Sequence, residues 1–270
     1  MPDFYGEFAP LYHLIFQDWD ASIERQGRQL AAEIRSSWPG CRTVLDVSCG
    51  IGTQALALAM NGFQGHGLRC VREGGRAGQD RARRRGLEIA FSVCDMREAY
   101  HHHGGGFDVV VSGDNSIPHL LTDEDISIAL RQMFSCLRPG GGCLLTVRDY
   151  DQEPRGTNIV KPYGARIENG KRYLGFQVWD FEGEHYDFTL YFVEEDLSSK
   201  EVQARALRSR YYAVSTCKLL ALMQEAGFED VRRLDEVFYQ PVLAGTRPGV
   251  KSDASAINSS IIGQYGNHER

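Results

Sequence analysis

Ten consecutive residues, Val44-Leu45-Asp46-Val47-Ser48-Cys49-Gly50-Ile51-Gly52-Thr53, place one carboxylate, two hydroxyls and two glycines between an apolar run and the Ala/Leu-rich segment Gln54 to Ala59. Apolar residues around a single acid suit a buried parallel strand, and the segment behind the glycines suits a helix. Glycine at such a junction lets a ligand press against bare backbone, and the first amides of the helix offer donors with no partner in the chain. The chemistry is that of a nucleotide-sized binding corner. With only two glycines and an acid on the strand, it is not the dinucleotide pattern G-x-G-x-x-G.

Positioning such a corner takes alternating strands and helices, and the chain supplies them. Residues 1–40 read as helices, with Ile23, Leu30 and Ile34 at helical spacing before Trp38-Pro39-Gly40. Strands are expected at Phe63 to Gly67, Leu87 to Val93, Phe107 to Val111 and Cys143 to Val147, with an amphipathic helix from Ile126 to Leu137. From Gln152 to about Ala213 the rhythm changes. Tyr173 to Phe181, Tyr186 to Val193 and Val202 to Tyr212 alternate in the manner of an antiparallel meander. A final helix from Cys217 to Ala226 and a strand pair complete the core, and residues 247–270 form a polar tail.

The 270 residues carry a net charge of −6, 42% hydrophobic and 24% charged residues, which describes a globular chain and disfavours a polyanionic partner such as nucleic acid. No apolar run is long enough for a membrane span and the N-terminus lacks the order of a signal peptide, so the cytoplasm is the expected location. Seven scattered cysteines read as buried thiols, and His101-His102-His103 before three glycines reads as a surface loop, so no metal site is expected.

The pattern D-x-S-C-G-x-G-T resembles motif I of class I S-adenosylmethionine (SAM) methyltransferases. Cys94-Asp95-Met96, Phe107-Asp108-Val109-Val110-Val111 and Leu137-Arg138-Pro139-Gly140-Gly141 follow in that family's order. Asn115-Ser116-x-x-His119-Leu120 and Arg148-Asp149-Tyr150 are similar to the corresponding stretches of glycine and sarcosine N-methyltransferases. The resemblance implies a Rossmann-like α/β fold with a seven-stranded sheet, an N-terminal helical cap and an inserted antiparallel β lid. The expected organisation is a single domain over 1–246: cap 1–40, core 41–150, lid 151–213, core completion 214–246.

It also implies a site. Asp46, Ser48, Gly50, Gly52, Thr53, Gly113 and Asp114 would hold SAM, with Asp95-Met96 at the adenine and Tyr5, Tyr12 and Arg25 contributed by the cap. Asn115 and Arg148 would hold a small amino acid such as glycine or sarcosine, with His119 a candidate proton acceptor and Tyr150, Tyr173, Tyr186 and Tyr211 in the acceptor pocket. An Arg fork grips a carboxylate bidentately and leaves the amine free to meet the methyl. The product would be S-adenosylhomocysteine, the partner a small molecule, and homo-oligomerisation is left open. An O- or C-methyltransferase of a larger metabolite is the alternative.

One segment dissents. The second strand should end in an acid for the ribose hydroxyls, yet Leu68-Arg69-Cys70 stands there, followed by an expected helix holding Gly74, Gly75 and Gly78, each costing about 1 kcal/mol relative to Ala. An arginine cannot accept from ribose, so a fold with impaired SAM binding is a third alternative. A shifted reading frame over 68–83 is one hypothesis for the anomaly. A permitted set of codons, less one base after Gly67, reads Gly-Cys-Asp-Val-Ser-Ala-Arg-Ala-Val-Glu-Arg-Ala-Arg, with an acid in place of Arg69 and a glycine-free helix. Simple divergence is the other explanation, and the nucleotide sequence of the gene decides between them: bases that yield no acid in the neighbouring frame rule the shift out.

Overall fold

The computed structural model describes residues 4–69 and 72–249, giving only the course of the chain at 5, 65–69 and 72–76. Its helices are α1 (Phe4–Phe8), α2 (Trp19–Ser37), α3 (Thr53–Met60), α4 (Arg72–Arg84), α5 (Ala99–His103), α6 (Asp123–Cys136) and α7 (Thr216–Glu225). Its strands are β1 (Thr43–Asp46), β2 (Gln64–Arg69), β3 (Ile89–Val93), β4 (Phe107–Ser112), β5 (Leu137–Thr146), β6 (Ile159–Glu168), β7 (Lys171–Glu182), β8 (His185–Asp196), β9 (Val202–Tyr212), β10 (Glu229–Leu234) and β11 (Val242–Thr246).

Seven strands form one sheet in the order β10-β11-β5-β4-β1-β2-β3, parallel except for β11, which runs against both neighbours. The continuous apolar runs explain the middle of that order. Val44, Leu45, Val109, Val110 and Val111 are almost wholly inaccessible, as strands covered on both faces by helices must be. From β1 the chain moves outward to β2 and β3, then returns to lay β4 on the other side of β1. The C-terminal ends of β1 and β4 therefore diverge into a crevice, the place where open parallel sheets bind ligands.

The remaining strands, β6-β7-β8-β9, make a separate antiparallel sheet. Strands β7 and β8 follow the alternation expected from sequence, with Trp179, Tyr186, Phe188, Leu190 and Phe192 buried on the face turned to the core, whereas β9 buries only Leu207 and Tyr212. Strand β6 escapes that reading because Pro162 and Gly164 interrupt its alternation, and they mark a register shift in its pairing with β7. This sheet is the expected lid. Arg166 ties it to the N-terminal segment by donating to the carbonyls of His13 (3.0 Å) and Phe16 (2.9 Å). Tyr212 donates to Asp123 at the start of α6 (2.8 Å).

The helical cap divides into two functions. Helix α1 and the 3-10 turn Tyr12–Ile15 cover the crevice, whereas α2 packs on α3. Asp18 caps α2 through the amide of Ala21, the Trp19 indole donates to Thr53 Oγ1 (3.3 Å), and Gln54 donates to Gln26 (2.9 Å). Asp18 to Gly27 thus secures the helix behind motif I. Helix α4 forms in spite of its glycines, and a Cβ at Gly78 would come within 2.8 Å of the Phe91 ring. The expected ribose position, Arg69, ends β2 opposite Val93, with its side chain outside the described residues, as are most of those in the segment of the frame hypothesis. Contrary to the expectation for all seven thiols, Cys217 is exposed on the first turn of α7. Among the described residues no helix is long and apolar enough to cross a membrane.

Gly27 tests the α2–α3 contact. A Cβ there would lie 2.6 Å from the Ala57 carbonyl oxygen, which is backbone and cannot turn aside. Gly27→Ala should destabilise the chain in urea unfolding by about 1–3 kcal/mol, although Ala is the better helix former. A gain in stability would show that the two helices are free to separate.

Candidate active site

The crevice between β1 and β4 is roofed into a cavity of about 250 Å³. Its floor is Ser48, Cys49, Gly50 and Ile51, with Thr53 and Gln54 opening α3. Gly50 and Gly52 adopt positive φ (54° and 98°), a conformation that costs other residues strain, and the turn they make carries the chain from strand to helix. Ser48 Oγ accepts from the Gly113 amide (3.1 Å) and from the Ser112 hydroxyl (3.2 Å), joining the floor to the end of β4. A Cβ at Gly113 would meet the Gln54 side chain at 2.9 Å.

Asp46 lies beneath this turn, 1% exposed. One carboxylate oxygen accepts from the Ser48 amide (3.0 Å), and the other is buried with no partner among the described residues. Burial pushes its pKa up from 3.8 to about 7. An unpaired buried acceptor under a glycine turn fits a ligand that brings its own donors. Asp46, Ser48, Gly50 and Thr53 are the residues that would hold the methionine end of SAM, whose sulfonium supplies an electrophilic methyl.

The opposite wall is Asp114-Asn115, two consecutive non-glycine residues in the left-handed region (φ 57° and 60°). Such a pair persists only where its surroundings hold it. Here the Asp114 amide donates to Thr146 Oγ1 (2.8 Å) and the Asn115 amide to the Thr146 carbonyl (3.0 Å). The Asp114 carboxylate accepts from Tyr12 of the cap and from Tyr239 in the loop before β11 (2.5 Å). Burial raises its pKa, opposed by the Tyr239 bond and the Arg148 charge.

Arg148 also lines the cavity, its guanidinium 4.5 Å from the centre of the Trp179 ring and its Nε 3.7 Å from Glu153. Asn115 supports it: Oδ1 accepts from the Arg148 amide (2.9 Å), and Nδ2 donates to the Tyr150 hydroxyl (2.7 Å). Tyr150 in turn bonds the Tyr186 hydroxyl (3.1 Å). Tyr150 and Tyr186 are thus buried behind the pocket as a positioning network, a correction to their expected contact with substrate, whereas Asn115 lines the cavity.

Other expectations are also corrected. Arg25 is exposed on α2 and bonds Ser22 (3.2 Å), outside the cavity lining. Asp95 gives both oxygens to Arg97, which also pairs with Asp125 (2.9 Å), so the carboxylate meant for the adenine already has a partner. Met96 is buried in the core beside Leu45 and Val47. His119 packs on Tyr211 (4.2 Å between centres), and burial pulls its pKa down to about 3, which makes it a poor proton acceptor. Tyr173 rests against Phe192 on the lid (5.8 Å). Tyr5 lies outside the described side chains. Tyr12 and Tyr211 do line the cavity. Sequence reasoning missed Phe4, Phe8, Tyr163, Gln177 and Tyr239, which come from the cap, the lid and the β10–β11 loop. Only Tyr239, in the turn-like run Phe238-Tyr239-Gln240-Pro241, carried a local signal.

Fold and sequence point the same way: the sheet order and its crevice match the class I SAM-dependent methyltransferase fold, and the chain is similar to several small-molecule N-methyltransferases. Residues 44–141 match the family described as methyltransferase domain. The chain is 29% identical over 160 residues to the glycine/sarcosine N-methyltransferase of Parasynechococcus marenigrum, covering 57% of this chain and 54% of that protein. It is 30% identical over 139 residues to the dTDP-3-amino-3,6-dideoxy-alpha-D-glucopyranose N,N-dimethyltransferase of Streptomyces fradiae, covering 52% of each. The matched region thus spans about half the length of these curated relatives. Among solved structures, SAM-bound CalS10, an amino pentose methyltransferase from Micromonospora echinaspora, superposes with a TM-score of 0.73 at 19% identity, covering 84% of this chain and 92% of its own.

Two measurements test this site. Because the folded-state pKa of Asp46 is raised, its contribution to stability is fully present below the unfolded value and is lost as pH rises through about 7. Asp46→Asn keeps the acceptor for Ser48 and should therefore melt above the wild type at pH 8, with the difference vanishing near pH 4. Parallel melting profiles would show that Asp46 is not held against ionisation. At the end of β2, Arg69→Asp should strengthen SAM binding about tenfold or more by calorimetry, since a charged acceptor is worth roughly 1.5–3 kcal/mol. Equal affinities would show that this strand end does not serve the ribose.

Proposed function

We propose that the chain transfers the methyl of SAM to the amine of a small metabolite larger than a free amino acid. The observation that carries this reading is the space beyond Arg148. A second cavity of about 470 Å³ shares Arg148, Tyr163, Gln177, Tyr239 and Gln240 with the first and continues past them to Gln152, Glu153 and Lys161. A glycine would leave that volume to water. An acceptor with a polar body could place its amine in the inner cavity and its remainder in the outer one. The relatives support nitrogen as the nucleophile, one being named for an amino acid and another for an amino sugar.

The narrower reading, glycine or sarcosine as acceptor, draws on Arg148 as a carboxylate fork. Against it, Glu153 and the Trp179 face already engage that guanidinium, and Lys161 bonds the same Glu153 at 2.5 Å. Displacing Glu153 would have to accompany binding. In either case the chain's own task is placement: a neutral amine held near the methyl in a closed pocket gains most of its rate from proximity and orientation.

An acceptor panel scored by S-adenosylhomocysteine release separates the readings. Glycine, sarcosine, a dTDP-linked amino sugar and a catechol represent the candidate classes. The amino sugar should turn over best, and Lys161→Ala should raise its KM several-fold with little change in kcat, the mark of binding made equally in ground and transition states. Glycine as the best acceptor, indifferent to Lys161→Ala, would return the assignment to the narrower reading. Turnover of the catechol alone would remove nitrogen from the account.

A further inference from the structure

Among the described residues, the Asp114 carboxylate is the one anionic side chain that lines the inner cavity. Each of its oxygens accepts a single phenol, Oδ2 from Tyr12 and Oδ1 from Tyr239, so each keeps a lone pair for a ligand. The phenol oxygens, having donated their protons, keep lone pairs as well. Three elements distant in sequence thus bring acceptor oxygens to one point: the 3-10 turn of the cap, the end of β4 and the loop before β11. Holding Asp114 there requires a left-handed backbone, which Thr146 and the two tyrosines maintain. An interior carboxylate that served only to fasten the cap would be matched by a cation or further amide donors. This one faces open volume.

We infer that Asp114, flanked by Tyr12 and Tyr239, is a cation site that receives the acceptor as an ammonium ion and takes its proton before methyl transfer. The inference rests on the amine reading proposed above. An ammonium has N–H donors for the carboxylate and the two phenols, and no acceptor lone pair. In the step itself, an N–H bond breaks and an O–H bond forms on the carboxylate, leaving a neutral amine with a free lone pair and a neutral carboxylic acid. The proton then leaves for solvent by way of the part-exposed edge of Asp114. The groups that face the carboxylate are Tyr12, Tyr239, Tyr163 and Arg148. Burial raises the Asp114 pKa and so brings it towards that of the amine, while the Arg148 charge and the Tyr239 bond act the other way. The Tyr239 hydroxyl is held well above its usual pKa by burial and by Asp114, so it remains a donor.

The test compares amines with their oxygen counterparts: sarcosine with methoxyacetate, and a dTDP-linked amino sugar with its hydroxyl analogue. At saturating S-adenosylhomocysteine, the wild type should bind at least one amine tenfold or more tightly than its counterpart, and Asp114→Asn should abolish the preference. For the amine that turns over, Asp114→Asn should lower kcat/KM about a hundredfold or more at pH 7. That deficit should shrink as pH approaches the pKa of the free amine, where solution supplies the neutral nucleophile. Tyr239→Phe should show a smaller loss of the same pH dependence. A wild type without amine preference overturns the inference, as does an Asp114→Asn deficit that is constant with pH, which would mark a merely structural clasp. Amine preference confined to sarcosine would overturn the larger acceptor and leave Asp114 in its role.

Discussion

The return of the chain to the far side of β1 is the constraint on which the rest of the structure depends. Because β2 and β3 extend the sheet one way and β4 and β5 the other, the chains leaving β1 and β4 part beyond the Ser48–Gly113 contact and open a crevice. What fills the gap is backbone in unusual conformations: a glycine turn on one side and the left-handed pair Asp114-Asn115 on the other. Both are held by short polar bonds, Ser48 to Gly113 and Thr146 to Asp114. Strain of this kind, order 1–3 kcal/mol for each such residue, persists only where the surroundings over-determine it.

Everything else in the fold closes that gap. Phe4 meets Phe188 edge-on at 5.4 Å, so the cap and lid touch across the cavity, and the aromatic inner face of the lid excludes water from it. Exclusion strengthens each charge inside and makes each one costly. The cavity answers with few charges: the Asp114 carboxylate clasped by two phenols, and the Arg148 guanidinium laid on an indole and paired with Glu153. From the cavity wall inward, the Asn115–Tyr150–Tyr186 chain of hydrogen bonds holds the Arg148 backbone in place.

The parts of this account legible in the sequence are those written in local pattern. Apolar runs and glycines marked β1, β4 and the motif I turn, and alternation marked three strands of the lid. The fourth strand was hidden because Pro162 and Gly164 break its period. Residues that line the cavity were legible where a motif carried them, as with Ser48, Asp114 and Arg148. Their roles were less so, since a role depends on the partner a side chain finds. Asp95 met Arg97, Asn115 met Tyr150, and His119 met the Tyr211 ring, none of which spacing reveals. Tyr163 and Gln177 reach the cavity from elements remote in sequence, and nothing in their neighbours announces it.

The crevice between β1 and β4 should take SAM in spite of the arginine at the end of β2. In titration calorimetry of the wild-type chain, one SAM should bind saturably per chain and be displaced by S-adenosylhomocysteine. No saturable binding at millimolar SAM would contradict it and leave a methyltransferase fold without its methyl donor.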